Sequence, residues 1–302
     1  MIKPVEAIPL DRAEDLIAHL RPHTQRWQPH PAKWIYRGQC DSKHKLLPTA
    51  YREEAWKDFT LPGEEPFNPL AGYHSEIVQA QREYKTLKRF LEGIDRSGIG
   101  IPEDIFVRTR LAEADQNDLD FLTDPAIVTF AALAQHHGVP TRLLDWTRSA
   151  LHAAYFGAAR VAPRASEGGS MSVWALSQEF VEHARTRERQ VPHTPRLHVM
   201  ASPRATNPNL HAQAGVFTMW LNTARVTDLE EVILQMLLAL DRTDGCGWDG
   251  PSPLCRLQLP WSETPKLLRM LSYEQVDAAR MFPDRDGVVR ALKERRYWDQ
   301  KE

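Results

Sequence analysis

The sequence contains few cysteines and no long apolar run. Its three cysteines, Cys40, Cys246 and Cys255, are spread over 302 residues, and none forms the C-x-x-C spacing of zinc and redox sites. A disulfide framework is therefore not expected, and a reducing cytoplasm is the predicted location. No apolar run reaches the roughly 18 residues of a membrane span, and the start, MIKPVEAIPLDRAEDL, lacks the apolar stretch of a secretion signal. We therefore expect no membrane partner.

Several catalytic signatures are also missing. The chain has neither a Walker P-loop nor a Gly-x-Ser-x-Gly nucleophile elbow. His136, His137 and His152 together with Asp145 suggest metal ligands, but their spacing does not place two imidazoles on one helical face. No metal site is therefore predicted, and a nucleotide would have to be bound by residues from separate parts of the chain.

The charge is nearly balanced, with 38 basic and 40 acidic residues and a formal net charge of −2. This balance gives no overall attraction to nucleic acid or to anionic lipid, although it is compatible with a local basic groove. The apolar content of 42% and the charged content of 26% are those of a folded globular protein.

The periodicity of apolar residues predicts an α+β fold. Helical patterns dominate residues 51–137, and the last of these helices begins at an Asp124 cap and ends at Gly138. An early strand, KWIYRGQ, ends on Arg37 and Gly38, and four strand patterns follow residue 138: SMSVWALS, PRLHVMAS, AGVFTMWL and LCRLQLP. We expect one domain over residues 1–302, in which the helical segment 51–137 packs on a mixed, mainly antiparallel sheet within the strand-rich part 138–302. A final helix, VVRALKERR, is expected after a cap at Asp286.

Residues 132–158, ALAQHHGVPTRLLDWTRSALHAAYFGA, combine polar groups with a small apolar helix. The helix after Ser149 is rich in alanine and is expected to be buried against close neighbours. His136, Arg142, Asp145 and Thr147 precede it, near the backbone N–H groups and positive dipole end that favour an anion such as phosphate. In the alternative interpretation Arg142 simply pairs with Asp145, and His136 binds a backbone carbonyl.

Five motifs resemble those of one known family. They are YRGQ (36–39), LLPTAYR (46–52), LAQHHGVPTRLLDWTRSALHAAYFGA (133–158), HAQAGVFTMW (211–220) and MFPDRDGVVRAL (281–292). Together they resemble the FRG domain family, which is named for a Phe-Arg-Gly motif; here Tyr36 occupies the aromatic position. The motifs are spread from residue 36 to residue 292, so the resemblance extends over nearly the whole chain.

The order of these motifs is also similar to the three-part plan of ADP-ribosyltransferases of the Arg-Ser-Glu type, which implies a core of that kind and NAD as the cosubstrate. The similarity implies that Arg37 binds the phosphates or ribose of NAD, that Thr141 and Thr147 correspond to the segment supporting the nicotinamide pocket, and that Gln213 stands in place of the catalytic Glu. The implied catalytic residues are Arg37, Thr141, Asp145 and Gln213, and the implied NAD contacts are Tyr36, Arg37, Gly38, Gln39, His136, Arg142, Trp146, Thr147, Gly215 and Phe217.

Three of these residues, Gln213, Gly215 and Trp146, allow more than one interpretation. Gln213 cannot accept a proton as a general base, so that step falls to Asp145, His136 or His137 or is absent. In the strand AQAGVFTMW, a period of two places Gln213 and Gly215 on one face, although Gly215 could equally mark a bulge with Gln213 exposed to water. Trp146 could stack on a base or nicotinamide ring, although core packing is the usual role of tryptophan.

The function that the resemblance implies is an NAD-dependent ADP-ribosyltransferase, a glycosyltransferase-class effector of the toxin or antiphage type. Its acceptor would be RNA, DNA or protein, and an antitoxin or regulatory partner is expected. The first alternative is a non-catalytic nucleotide-binding or interaction module, which Gln213 favours. The second is a metal-dependent nuclease, which would require clustered carboxylates.

Overall fold

A computed structural model describes residues 3–27, 33–61, 73–101, 103–115, 119–191, 194–201, 213–221 and 227–298. Its strands are β1 (Val5–Pro9), β2 (Trp34–Gln39), β3 (Leu144–Thr147), β4 (Ser170–Ser177), β5 (Arg196–Met200), β6 (Gly215–Leu221) and β7 (Leu254–Pro260). Its α-helices are α1 (Ala13–Leu20), α2 (Tyr73–Arg96), α3 (Asp104–Glu113), α4 (Pro125–His136), α5 (Ala150–Ala159), α6 (Gln178–Arg185), α7 (Leu229–Asp241), α8 (Thr264–Tyr273), α9 (Ala278–Met281) and α10 (Arg285–Arg295).

The described strands form one seven-stranded sheet in the order β1-β7-β4-β2-β3-β6-β5. β1 pairs with β7 in parallel and the other described pairs are antiparallel. The expected α+β fold with a mixed, mainly antiparallel sheet is confirmed. The sequence pattern did not predict β1 and α6; β1 is short and only partly buried, so its pattern is weak.

Helix α5 lies directly on β2 because both elements carry glycine at the contact. A Cβ atom on Gly38 would lie 1.9 Å from the carbonyl oxygen of Ala153, and one on Gly157 would lie 2.6 Å from the Met171 side chain. The alanines of α5 face the same apolar core as Tyr36 on β2. The small-residue helix is therefore buried by close packing, as its composition predicts.

The helices α2, α3 and α4 cover a different part of the sheet. Phe217, Met219 and Leu221 alternate along β6 and share one core with these helices, which confirms the period of two predicted for this strand. The opposite face of the sheet packs against α6 and α7 through Trp146, Trp174 and other apolar side chains. Helix α5 thus packs against β2, and the layer of α2, α3 and α4 packs against β6. Strand β3 lies between β2 and β6.

The predicted helix ends are partly correct. Asp124 caps α4 by accepting a hydrogen bond from the N–H of Ala126, and Gly138 follows that helix with a φ of 87°. The last helix is capped by Asp284, which accepts from the N–H of Gly287, and not by Asp286, which lies within its first turn. Asp284 comes three residues before that N–H, which is the spacing of a cap.

None of the helices in the described ranges is both long enough and apolar enough to cross a membrane.

Candidate functional site

A cleft of about 740 Å³ opens where β2 and β3 separate. These strands share one bridge, between Tyr36 and Thr147. Beyond it, residues 37–39 pair with β4 on the other side and residues 144–146 pair with β6. Helices α4 and α5 form the walls, and Phe282 and Arg290 close one end. The topology of the sheet therefore creates the opening.

Arg37 crosses the gap between the two strands. Its Nη1 donates to the main-chain oxygen of Asp145 at 2.6 Å and lies 3.7 Å from the Asp145 carboxylate. Its Nε is buried and has no hydrogen-bond partner among the described residues. Burial lowers the pKa of Arg37, Asp145 opposes this shift and Arg52 adds to it. An anion in the cleft would therefore compensate a cation that is only partly paired.

The Asp145 carboxylate faces the cleft and is held by Gln135 of α4. Gln135 Nε2 donates to Asp145 Oδ1 at 2.6 Å, and its Oε1 accepts a hydrogen bond from the Thr141 hydroxyl. The Asp145 side chain is 61% exposed because the cleft beside it is open. The surrounding protein walls still withdraw it from bulk water, which raises its pKa, while Arg37 acts to lower it. The pair between Arg142 and Asp145, which was the alternative interpretation of the sequence, is absent, and Asp145 is paired with Arg37.

Thr147 and Gln213 both line the cleft and are fixed to each other. The Thr147 hydroxyl donates to the main-chain oxygen of Gln213 at 2.7 Å and accepts from the N–H of Ser149, which caps α5. The Gln213 side chain donates through Nε2 to the carbonyl oxygen of Met281 at 3.2 Å. Gln213 lies in a turn before β6, where Ala214 has a φ of 50°. Its predicted place on the strand is therefore wrong. His211 and Ala212 of the same motif lie outside the described residues.

The side chains that line the cleft are rich in positive charge. Among the described lining residues, four are arginines, two are histidines and one is a carboxylate: Arg37, Arg52, Arg160, Arg290, His44, His136 and Asp145. Of these, Arg52, His44, Arg160 and Arg290 were not predicted as site residues from the sequence. Arg52 lies in the LLPTAYR motif and Arg290 in the MFPDRDGVVRAL motif, and the fold brings both to the same cleft as Arg37. This excess of cations contrasts with the balanced charge of the whole chain.

Arg142 lies away from the cleft, contrary to the prediction that it contacts NAD. It is 2% exposed, and its guanidinium bonds to Glu83 of α2, with an Nη2 to Oε1 distance of 3.1 Å and a further contact to Glu76 at 3.9 Å. Burial acts to lower its pKa, but Glu83, Tyr51 and Glu76 together outweigh this effect and the pKa is raised. Arg142 therefore anchors the segment before β3 to the helical layer.

Three other predicted residues also differ in placement. Thr141 is 2% exposed and is not among the described lining residues, so it reaches the site only through Gln135. Trp146 borders the cleft, but its ring is 3% exposed and its Nε1 donates to Thr218, so it packs in the core and offers no stacking face. His137 is likewise not among the lining residues, whereas His136 is.

The remaining predicted contacts do border the cleft. Tyr36, Gly38, Gln39, Gly215 and Phe217 all line it. Tyr36 and Phe217 are almost fully buried, so they form its base. Phe156 of α5 and Phe282 form an apolar end, with ring centroids 6.2 Å apart. The cleft therefore combines a cationic part with an aromatic part.

One glycine motif in the chain has the spacing of a dinucleotide fingerprint but not its setting. Residues 245–250, GCGWDG, read Gly-x-Gly-x-x-Gly. They follow helix α7 and precede strand β7, whereas the fingerprint follows a strand and opens a helix. They are not among the described residues that line the cleft. This motif therefore gives no support to nucleotide binding.

Comparison with known families adds one finding to this geometry. Residues 32–166 match the family model of the FRG domain. The match supports the FRG resemblance and contains Arg37, Gln135 and Asp145, whereas Gln213 and Arg290 lie outside it. No curated protein and no solved structure matches the chain. The similarity of the FRG domain segment to ADP-ribosyltransferases thus gains no support from these comparisons and stays a prediction.

Proposed function

We propose that the protein is an NAD-dependent ADP-ribosyltransferase-like enzyme whose active site is the cleft between α4 and α5. The observation that carries this proposal is the meeting of Arg37, Asp145 and Gln213, from three distant parts of the chain, around one cleft. Its 740 Å³ falls within the range of about 300–1,000 Å³ of small-molecule sites.

The charge of the lining favours a ligand with phosphate groups. Four arginines face one carboxylate in a partly enclosed space, where ionic hydrogen bonds are stronger than in bulk water. Arg37 is the best-placed phosphate ligand because its Nε is buried without a partner and its planar fork suits a pyrophosphate. The aromatic end at Phe156 and Phe282 offers an apolar surface for a base.

Asp145 is the residue to which we assign the catalytic carboxylate. In the proposed reaction the bond between ribose C1′ and the nicotinamide nitrogen breaks, and nicotinamide leaves with the bonding electron pair. A nucleophilic atom of the acceptor forms the new bond to C1′, and its proton passes to Asp145. The ribose carries positive charge between these events, which an oriented carboxylate stabilises. The amide oxygen of Gln213 can accept a hydrogen bond from a ribose hydroxyl.

The experiment is incubation of the purified protein with radiolabelled NAD and cell extract, followed by separate digestion with ribonuclease, deoxyribonuclease and protease. We expect label on one acceptor class with the wild type, and little or none with Arg37→Ala or Gln213→Ala. An exposed arginine remote from the cleft, Arg185, provides the matched control as Arg185→Ala. Absence of transfer, or equal transfer by all variants, would refute the proposal.

A non-catalytic nucleotide-binding module is the second candidate, and one contact favours it. The Gln213 amide is held by the Met281 carbonyl and cannot act as a general base. This candidate predicts that NAD raises the melting temperature but that no nicotinamide is released. Nothing favours the nuclease, since the described residues contain no group of three or more His, Cys, Asp or Glu side chains able to hold a metal.

A further inference from the structure

The C-terminal segment 278–298 carries a local excess of positive charge next to the cleft. It contains six arginine or lysine residues and three carboxylates, a net charge of +3 in a chain of net −2. The six cations are Arg280, Arg285, Arg290, Lys293, Arg295 and Arg296, all exposed, and none is in a salt bridge within the described part of the chain. Two of the carboxylates have partners: Asp284 caps α10, and Glu294 is buried against the Tyr155 hydroxyl.

The cations of this segment lead into the cleft. Arg290 lines it, with its guanidinium carbon 4.8 Å from the centre of the Phe282 ring. Lys293 lies three residues further along α10 and is therefore its neighbour on the same face. Just beyond the helix, the Arg296 guanidinium lies 4.8 Å from the Tyr297 ring. Three cations thus extend from the cleft along α10, with the Phe282 ring beside the first and the Tyr297 ring beside the last.

We propose that this track, Phe282, Arg290, Lys293, Arg296 and Tyr297, binds a single-stranded nucleic acid and presents it to the cleft as the acceptor. A positive surface with a partly exposed ring at each end suits a single strand, because phosphates pair with the cations and unpaired bases stack on the exposed parts of the rings. A duplex hides its base faces and could use only the charges. The acceptor role rests on the proposed function, whereas the binding itself does not.

An acidic protein segment is the competing occupant, and apolar side chains of α10 beside the track would contact it. Val288, Val289 and Leu292 are 51%, 46% and 60% exposed. Val289 lies four residues before Lys293 and Leu292 four residues before Arg296, so this apolar face adjoins the track. Apolar side chains of this kind suit a protein surface better than a phosphodiester chain. The two occupants are therefore distinguished by the probe that binds and not by separate faces of the helix.

The test is fluorescence anisotropy with labelled oligothymidylate, oligouridylate and a DNA duplex, without NAD. We compare the wild type, Lys293→Glu/Arg296→Glu and the matched control Lys85→Glu/Lys88→Glu, which makes the same charge change on exposed positions of α2. We expect the α10 variant to bind a single strand at least about tenfold more weakly, with a salt slope smaller by about 0.7 for each phosphate that it no longer neutralises. The α2 variant should bind like the wild type. Preference for oligothymidylate or for oligouridylate identifies DNA or RNA, and either result supports the proposal.

Three results would overturn the proposal: no binding of a single strand at low salt, equal weakening by both variants, or duplex binding as tight as single-strand binding. Binding of polyglutamate that is weakened in Lys293→Glu/Arg296→Glu, without oligonucleotide binding, would assign the surface to an acidic protein instead. The melting temperature of each variant is measured with and without NAD, so that NAD binding in the cleft is tested separately from oligonucleotide binding. If the α10 track binds oligonucleotide while NAD produces no shift, the cleft assignment fails and the nucleic-acid surface stands.

Discussion

Arg37 on β2 and Asp145 on β3 are joined by a 2.6 Å hydrogen bond from the Arg37 Nη1 to the Asp145 carbonyl oxygen. The bond spans the gap that opens beyond the bridge between Tyr36 and Thr147. It fixes the guanidinium beside the cleft, while the buried Nε has no hydrogen-bond partner among the described residues. The arginine of the YRGQ motif thus has both a structural and a proposed binding role.

Replacement of Arg37 should weaken NAD binding strongly. Arg37→Ala removes charged hydrogen bonds worth about 1.5–3 kcal/mol, so we expect the dissociation constant to rise by roughly 10-fold to 150-fold. Arg37→Lys keeps the charge but loses the planar fork, so it should restore only part of the affinity. Isothermal titration calorimetry with NAD measures both, and Arg185→Ala is the control. Unchanged affinity in Arg37→Ala would contradict the phosphate assignment.

The buried pair of Arg142 and Glu83 should be important for stability and not for ligand contact. Both side chains are at most 4% exposed, and removal of one partner leaves an uncompensated charge in the core. We expect Glu83→Ala to lower the free energy of unfolding by about 3–5 kcal/mol, as measured by urea denaturation. The exposed pair of Arg185 and Glu182 is the control, and Arg185→Ala should leave the urea midpoint unchanged. If Glu83→Ala were equally neutral, the anchoring role would be wrong.

Two glycine substitutions should have opposite effects. Gly38→Ala would place a Cβ 1.9 Å from the backbone oxygen of Ala153 and force α5 away from β2, so a loss of about 1–3 kcal/mol or more is expected. In α2, Gly93 has no atom within 4 Å of a Cβ, so Gly93→Ala should add about 0.5–1 kcal/mol through helix propensity. Thermal unfolding of the two variants checks the contrast. A tolerated Gly38→Ala would show that α5 does not need this close approach.

Glu294 should make stability fall as the pH rises. Burial raises its pKa above the ordinary 4.5, against the opposing effects of the Tyr155 hydrogen bond and Arg290. The folded state therefore favours the protonated form, and stability that is present below pH 4.5 is lost as the pH rises through the raised pKa. Glu294→Gln keeps an acceptor for Tyr155 without the titration. Its free energy of unfolding should exceed that of the wild type increasingly with pH, and a constant difference would contradict this explanation.

The parts of the structure that could be predicted from the sequence are local. The Asp124 cap, the turn at Gly138 and the strand alternation of β6 depend on neighbouring residues, so periodicity and cap chemistry identify them. The partner of Arg142 could not be predicted, because Glu83 lies 59 residues away on another helix. Arg142 precedes Asp145 by only three residues, and the sequence does not indicate which of the two points into the core.

The composition of the cleft was harder to predict for the same reason. The FRG-like motifs contain Arg37 and Asp145, but they do not indicate a role for Gln135, which lies in the same motif as Asp145. Its carboxamide joins Thr141 to Asp145, and only the bend between α4 and β3 brings these side chains together. The position of Arg290 at the cleft depends on how the C-terminal helix packs against α5. It lies in the MFPDRDGVVRAL motif, but nothing in that motif indicates that Arg290 lines the cleft.

The most direct test of the account is release of nicotinamide from NAD by the wild type and by Asp145→Asn, measured by chromatography in the presence of cell extract. The substitution keeps the size of the side chain but removes the negative charge, so NAD binding should persist in calorimetry. We predict that the wild type releases nicotinamide and that Asp145→Asn does not. Absence of nicotinamide with the wild type, or equal release by both proteins, would contradict the assignment of the cleft as an NAD-cleaving site.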